Sequence, residues 1–105
     1  MKTAYSQGLS TLGAAAILFV LAGPALAYTG ENLAGEAKIG IDKARAIALK
    51  AHPGVITDEE LEREGGGSGL RYSFDIKNGK VTQEVGIDAA SGAVLENKAE
   101  GANPD

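Results

Sequence analysis

The sequence predicts an α+β domain in which one N-terminal helix packs on a four-stranded antiparallel sheet. Apolar and polar residues alternate over residues 70–77, which is the period of a half-buried strand. Asn78-Gly79 follows, and this dipeptide is the strongest short-range signal of a β-hairpin. Apolar residues recur every three or four positions over residues 41–51, as in an amphipathic helix. One helix followed by paired strands is typical of this fold class.

The first 27 residues have the pattern of a secretory signal peptide. Lys2 stands in a short polar stretch, an apolar run covers residues 12–22, and Ala25-Leu26-Ala27 forms an A-x-A cleavage site. The run is shorter than the roughly 20 apolar residues that a membrane-spanning helix needs, and an uncleaved anchor is the alternative interpretation. We therefore expect residues 1–27 to be removed and the mature chain to be periplasmic or secreted, without membrane contact.

The remaining 78 residues are enough for one small domain. We predict a flexible leader over residues 28–38, the domain over residues 39–98 and a disordered tail over residues 99–105, because neither flanking segment has a sustained apolar period. The chain has no cysteine, so the domain must be stabilised by its hydrophobic core without a disulfide.

The predicted helix begins after Gly40, which can serve as its N-cap, and ends at Pro53-Gly54. Its apolar residues lie on one face, and they are Ile41, Ala44, Ile47, Ala48 and Ala51. The alanines allow the helix axis to approach a sheet closely.

Residues 55–64 can be interpreted in two ways. The acidic run after Thr57 has high helix propensity, whereas Val55, Thr57, Glu59 and Leu61 alternate as they would in a strand. Pro53-Gly54 has just ended one helix, and a two-stranded hairpin needs a third strand to be stable in water. We predict a strand here.

A two-residue loop at Asn78-Gly79 would place Lys77 opposite Lys80. Counting back predicts the pairs Ile76 with Val81, Phe74 with Gln83, Tyr72 with Val85 and Leu70 with Ile87. One sheet face then collects seven apolar residues and Gln83, and it is predicted to pack on the helix. The other face is polar and is predicted to be open to solvent.

Three connecting segments complete the predicted sheet. Residues 65–69 form a flexible Gly-rich loop, residues 88–92 a tight turn and residues 93–96 the last strand. Asp88 begins the turn that Gly92 closes, and its carboxylate can accept hydrogen bonds from backbone N–H groups two or three residues later. We therefore expect Asp88 to be a structural residue.

Residues 85–95, VGIDAASGAVL, resemble the V-x-V-D-A-x-T-G-x-V-L ending of the PepSY domain, with Ser91 in place of the usual Thr. The helix resembles the family's first element, I-S-x-x-x-A-x-x-I-A, with Gly40 where Ser is usual. The resemblance extends over residues 39–98 and implies a strand at residues 55–64. Positions expected to be structural are Ala44, Ala48, Tyr72, Asn78, Gly79, Val85, Ile87, Asp88 and Gly92.

The resemblance also implies a class of function. PepSY domains occur in the propeptides of secreted metallopeptidases and in bacterial envelope proteins, with a proposed role in inhibiting or regulating peptidases. The family has no catalytic residues to carry over, so the resemblance implies a protein partner and no enzymatic activity.

The residues themselves predict neither an enzyme nor a cofactor. His52 is the only histidine, and without a second histidine or any cysteine it cannot complete a zinc site. No Ser or Thr has an identifiable base beside it, which nucleophilic catalysis requires. We interpret His52 as a residue that interacts with the last carbonyls of the helix.

Four carboxylates alternate along the predicted first strand, and they are Asp58, Glu60, Glu62 and Glu64. They are candidates for a calcium site or a docking surface, although their spacing does not match an EF-hand loop. A solvated edge that resists aggregation is the structural interpretation, and we favour it because single-sign runs are usually solvated faces.

The formal net charge is −4, and the basic residues are scattered along the chain. An acidic surface repels phosphate backbones, so we expect no nucleic-acid partner. We predict a non-catalytic exported binding module that regulates a peptidase or another envelope protein. The alternatives are a small-ligand or calcium-binding protein and an accessory domain of a larger envelope assembly. Candidate partner-binding residues on the polar face are Arg71, Ser73, Asp75, Thr82 and Glu84.

Overall fold

A computed structural model describes residues 27–100 and has the predicted architecture of one helix on a four-stranded antiparallel sheet. All but the last residue of the predicted signal peptide, residues 1–27, lies outside the described residues, and so do residues 101–105 of the predicted tail, residues 99–105. A 3-10 helix over Glu31–Glu36 precedes the α-helix, α1, at Ile41–Ala51. The strands are β1 at Val55–Arg63, β2 at Leu70–Asn78, β3 at Val81–Asp88 and β4 at Val94–Ala99. They lie in the order β1-β2-β3-β4.

Helix α1 packs on one face of the sheet through small side chains, as predicted. Gly40 is its N-cap, and Ala44 and Ala48 are completely buried against the sheet. At the side of this contact, the Arg45 guanidinium donates to both carboxylate oxygens of Glu59 and so ties the helix to β1. The buried apolar core is formed by Ala44, Ala48, Leu61, Leu70, Tyr72, Phe74, Ile76, Val85, Ile87 and Ala89.

The hairpin between β2 and β3 has the predicted faces, but its predicted register is wrong by two positions. Asn78 pairs with Val81 and Ile76 pairs with Gln83, so the two loop residues are Gly79-Lys80. The Asn78 Nδ2 atom donates to the Pro53 carbonyl at 2.8 Å, a contact that stabilises Asn78 at the end of the strand. Because the shift is even, every side chain stays on its predicted face.

The first residue of this loop must adopt a left-handed backbone conformation. Gly79 has φ 67°, in the left-handed region that L side chains rarely adopt, while an added Cβ would contact nothing within 4 Å. We expect Gly79→Val to destabilise the domain by about 1–2 kcal/mol through backbone strain alone. Urea unfolding followed by circular dichroism measures this.

Gly65→Val is the matched control, because Gly65 has ample space for a side chain and no left-handed φ. Equal unfolding midpoints for the two variants would contradict the assignment of strain to the hairpin loop.

The strand predicted over residues 55–64 is confirmed for Val55–Arg63, and it contains an irregularity that the alternation did not predict. Ile56 pairs with Ile76 and Asp58 pairs with Asp75, so one residue of β1, Thr57, is left over as a bulge. The bulge changes which residues face the helix. Ile56 packs against the core, whereas Val55 is 67% exposed.

The two segments that flank the predicted domain also make backbone contacts. Strand β4 continues to Ala99, past the predicted end at residue 96, and the Glu100 N–H donates to Thr82 O at 2.9 Å. In the predicted leader, Thr29 forms a parallel bridge with Glu60, and the 3-10 helix follows. Whether this segment is flexible in solution stays a prediction.

Candidate functional site

The carboxylate of Asp88 accepts more hydrogen bonds than any other side chain in the described residues. Its Oδ1 accepts from the backbone N–H and the hydroxyl of Ser68, both at 2.7 Å. Its Oδ2 accepts from the N–H and the hydroxyl of Ser91 at 2.8 and 2.9 Å, and from the Ala90 N–H at 3.3 Å. These donors, Ser68 first, hold the pKa of Asp88 well below its usual range.

This network joins two loops that are distant in sequence. Ser68 lies in the Gly-rich loop that was predicted to be flexible, and its contacts with Asp88 attach that loop to the turn after β3. Asp88 is only 2% exposed, so the network supports the fold and offers no surface to a ligand. Sequence reasoning missed Ser68, although it is the only residue of the loop with a hydrogen-bonding side chain.

The sheet face opposite α1 is the open face, and no described element covers it. Cross-strand pairing aligns Asp58, Asp75, Glu84 and Lys98 in one row across all four strands. Three carboxylates are therefore direct neighbours, an arrangement that destabilises a sheet when the charges are alike.

Burial and neighbouring charges raise the pKa of two carboxylates of this row, Asp75 and Glu84, and of Glu60 beside it. Partial burial raises the pKa of Asp75, and the neighbouring Asp58 raises it further. Burial is also the main cause of the raised pKa of Glu84, followed by Glu96. Glu60, beside the row, has its pKa raised by burial and then by Glu62. The open face is thus an acidic surface whose carboxylates repel one another.

The five predicted partner-binding residues all lie on the open face, but they differ in exposure. The prediction of solvent exposure is wrong for Arg71 and Ser73, which are 8% and 7% exposed. Arg71 donates to Gly65 O at 3.0 Å and pairs with Glu96 at 3.3 Å, and Ser73 donates to Glu62 at 2.7 Å. Neighbouring acidic side chains and the Gly-rich loop therefore enclose these two residues. The other three, Asp75, Thr82 and Glu84, are partly exposed.

The other candidate residues do not form a metal centre in residues 27–100. No group of three or more His, Cys, Asp or Glu side chains there has a geometry that could hold a metal ion. The acidic residues of the predicted first strand, Asp58, Glu60, Glu62 and Glu64, therefore form no such group, and cation binding by them stays a prediction. His52 follows α1, and its Nε2 atom is buried without a hydrogen-bond partner among the described residues.

A comparison with models of protein families identifies the family of this domain. The model of the PepSY family, described as "Peptidase propeptide and YPEB domain", matches residues 38–98. The chain belongs to the PepSY family. PepSY domains are generally non-catalytic propeptide or regulatory modules. No curated protein and no solved structure matches the chain.

The PepSY match covers α1, all of β1 to β3 and nearly all of β4, and it includes the Asp88 turn. It leaves out the 3-10 helix and the bridge at Thr29, so the contacts of residues 28–37 with β1 lie outside the matched domain. Within the described part of the chain, no helix has the length and apolar character needed to cross a membrane.

Proposed function

We propose that this PepSY chain is a non-catalytic, exported binding module that regulates or inhibits a peptidase or another envelope protein. The observation that carries this proposal is the match of residues 38–98 to a family described as a peptidase propeptide domain. The pattern of residues 1–27 supports export to the periplasm or the medium.

The open face supports a role in binding. Helix α1 covers only the opposite face, so the open face is available in a domain whose core is already complete. Asp75, Thr82 and Glu84 supply charge and hydrogen-bonding groups near its centre. Because strands hold these side chains at fixed spacing, the surface is organised before a partner arrives, which reduces the entropic cost of binding.

A capture experiment tests the proposal. Immobilised residues 28–105 are incubated with the exported-protein fraction of the source organism, and bound proteins are quantified by mass spectrometry. We expect enrichment of a peptidase or of one envelope protein, and a captured peptidase should lose activity when the purified module is added. Capture without any change in activity would contradict inhibition, and enrichment of no protein would contradict the binding function.

Two matched variants locate the interface. Asp75→Arg replaces a carboxylate in the open face, and we expect it to reduce capture at least about tenfold, because a reversed charge inside an interface is strongly unfavourable. Asp42→Arg makes the same substitution at an exposed side chain in the first turn of α1, and we expect capture to be unchanged. Equal capture by both variants would place the interface elsewhere.

A further inference from the structure

The outer edge of β1 is one of the two edges of the sheet. In residues 27–100 the only bridge to it comes from the chain's own N-terminal segment, residues 28–38, here named the strap. Thr29 lies parallel to Glu60, and the Thr29 carbonyl accepts from the Leu61 N–H at 2.8 Å. The strap therefore occupies the middle of an edge that would otherwise present free backbone groups.

Gly30 allows the strap to lie this close. It has φ 86°, and an added Cβ would be only 1.8 Å from the Leu61 carbonyl oxygen. That oxygen belongs to the backbone of β1 and cannot move aside without disturbing the sheet. Any other residue at this position must lift the strap from the edge.

No side chain of the strap is fully buried, but Tyr28 and Leu33 pack half-buried against the core. The 3-10 helix contains no buried residue, and its ion pair from Glu36 to Arg63 is exposed at both ends. An exposed pair of this kind contributes little to stability. At the C-terminal end, the Lys38 and Ile39 N–H groups donate to Ala89 O. The strap can thus leave β1 locally while its end stays attached to the domain.

The edge also has room for a longer occupant than the strap. Where the strap begins, an open cleft of about 570 Å³ lies beside the first half of β1. It is lined by Tyr28 and Thr29 of the strap and by residues 56–59 of the strand. An extended segment placed there would continue along the edge past the Thr29 bridge.

The charges beside this edge indicate the chemistry of such a segment. A strand added to β1 would bring every second side chain next to Asp58, Glu60 and Glu62 on the open face. Burial and mutual repulsion already raise the pKa of Glu60. Lysine or arginine at those alternate positions would compensate the repulsion, whereas the β1 edge of a second copy would add to it.

We propose that the outer edge of β1 is a strand-docking surface for a basic, extended segment of the partner, and that the chain's own strap is the occupant which this segment displaces. The proposal rests on the binding function above and specifies the chemistry of its partner. Main-chain hydrogen bonds of the added strand would provide affinity, and its basic side chains would provide selectivity.

Hydrogen exchange on matched glycine variants tests the role of the strap. In Gly30→Ala we expect the Leu61 amide to exchange faster, while amides between β2 and β3 keep their protection. Gly35→Ala is the control, because an added Cβ there meets nothing within 4 Å, and its exchange should equal that of the wild type. Leu33→Ala, which removes a half-buried strap side chain that packs against the core, is a second variant in case Gly30→Ala does not fold, and it should also accelerate Leu61 exchange. Unchanged Leu61 exchange in the folded variants would overturn the proposal.

Binding of a defined probe tests the docking surface. The probe is an eight-residue peptide with blocked ends that alternates Thr and Lys, and its control alternates Thr and Glu. If the strap is seated about 90% of the time, Gly30→Ala should bind the Lys peptide about tenfold more tightly than the wild type. Gly35→Ala should bind it as the wild type does, and the Glu peptide should not bind.

Three outcomes would contradict the docking proposal. The first is equal affinity of the wild type and Gly30→Ala for the Lys peptide. The second is that the bound Lys peptide protects the amides of β4, and not those of β1, from hydrogen exchange. The third is dimerisation of Gly30→Ala in light scattering, because the occupant would then be a second copy. If the wild type captures a partner that Gly30→Ala does not capture better, displacement of the strap is wrong while the binding function stands. If neither captures a partner, the binding function itself is wrong.

Discussion

Phe74→Ala is expected to destabilise the domain by about 3–5 kcal/mol, the usual cost of truncating a fully buried phenylalanine. Phe74 is completely buried at the centre of β2, and its ring stacks on Tyr72 with 6.4 Å between ring centroids. A domain of this size has a total stability near the lower end of about 5–15 kcal/mol. The variant should therefore be partly unfolded without denaturant, as urea titration followed by circular dichroism would show.

Val81→Ala is the control for Phe74→Ala. Val81 lies on the same sheet face but is exposed, so its truncation should change stability by no more than about 0.5 kcal/mol. A similarly small loss for Phe74→Ala would mean that its side chain is not part of the core.

Asp88→Asn is expected to cause the largest loss of stability of any single carboxylate substitution in the domain. An amide replaces one acceptor oxygen with a donor, so the N–H and hydroxyl groups of either Ser68 or Ser91 lose their acceptor. The substitution thus separates the Gly-rich loop from the turn after β3. Thermal unfolding at pH 7 measures the loss, with Glu31→Gln in the exposed 3-10 helix as the control for removing one charge.

The pH dependence of stability provides an independent signature of Asp88. Its pKa is lower in the folded state than the value of about 3.9 in an unfolded chain, so its contribution is complete above that value and is lost as the pH falls below it. We expect the melting temperature of the wild type to fall steeply below about pH 4. Asp88→Asn should lack most of this decrease, and an acid profile parallel to that of the wild type would contradict the assignment.

The carboxylates of the open face have the opposite effect on how stability changes with pH. The pKa values of Glu60, Asp75 and Glu84 are raised in the folded state, so protonation favours folding as the pH decreases from neutral. Stability should therefore increase modestly between pH 7 and about pH 5, before Asp88 begins to be protonated. The Asp75→Arg variant should show less of this increase, because it removes one of the repelling carboxylates.

The fold class and the two faces of the sheet could be predicted because they depend on local periodicity. Alternation over residues 70–77 assigns each side chain to a face whatever its partner strand is. The apolar stripe of α1 similarly identifies Ala44 and Ala48 as the residues in contact with the sheet, and both are completely buried.

The hairpin register could not be predicted in the same way. A loop at Asn78-Gly79 and a loop at Gly79-Lys80 give the same alternation, so periodicity does not distinguish them. The hydrogen bond from Asn78 to Pro53, a residue 25 positions earlier, accompanies the second arrangement. Similarly, the bulge at Thr57 depends on how β1 aligns with β2, and no short sequence motif predicts it.

The sequence by itself determined the family, the order of helix and strands and the division of the sheet into an apolar and a polar face, because these properties follow from local patterns. Only the tertiary structure decided which of the polar residues are accessible, how the open-face carboxylates align and where the strap lies. Those properties depend on contacts between distant segments, such as Ser68 with Asp88 and Thr29 with Leu61. Their geometry arises only when the strands are assembled around the core.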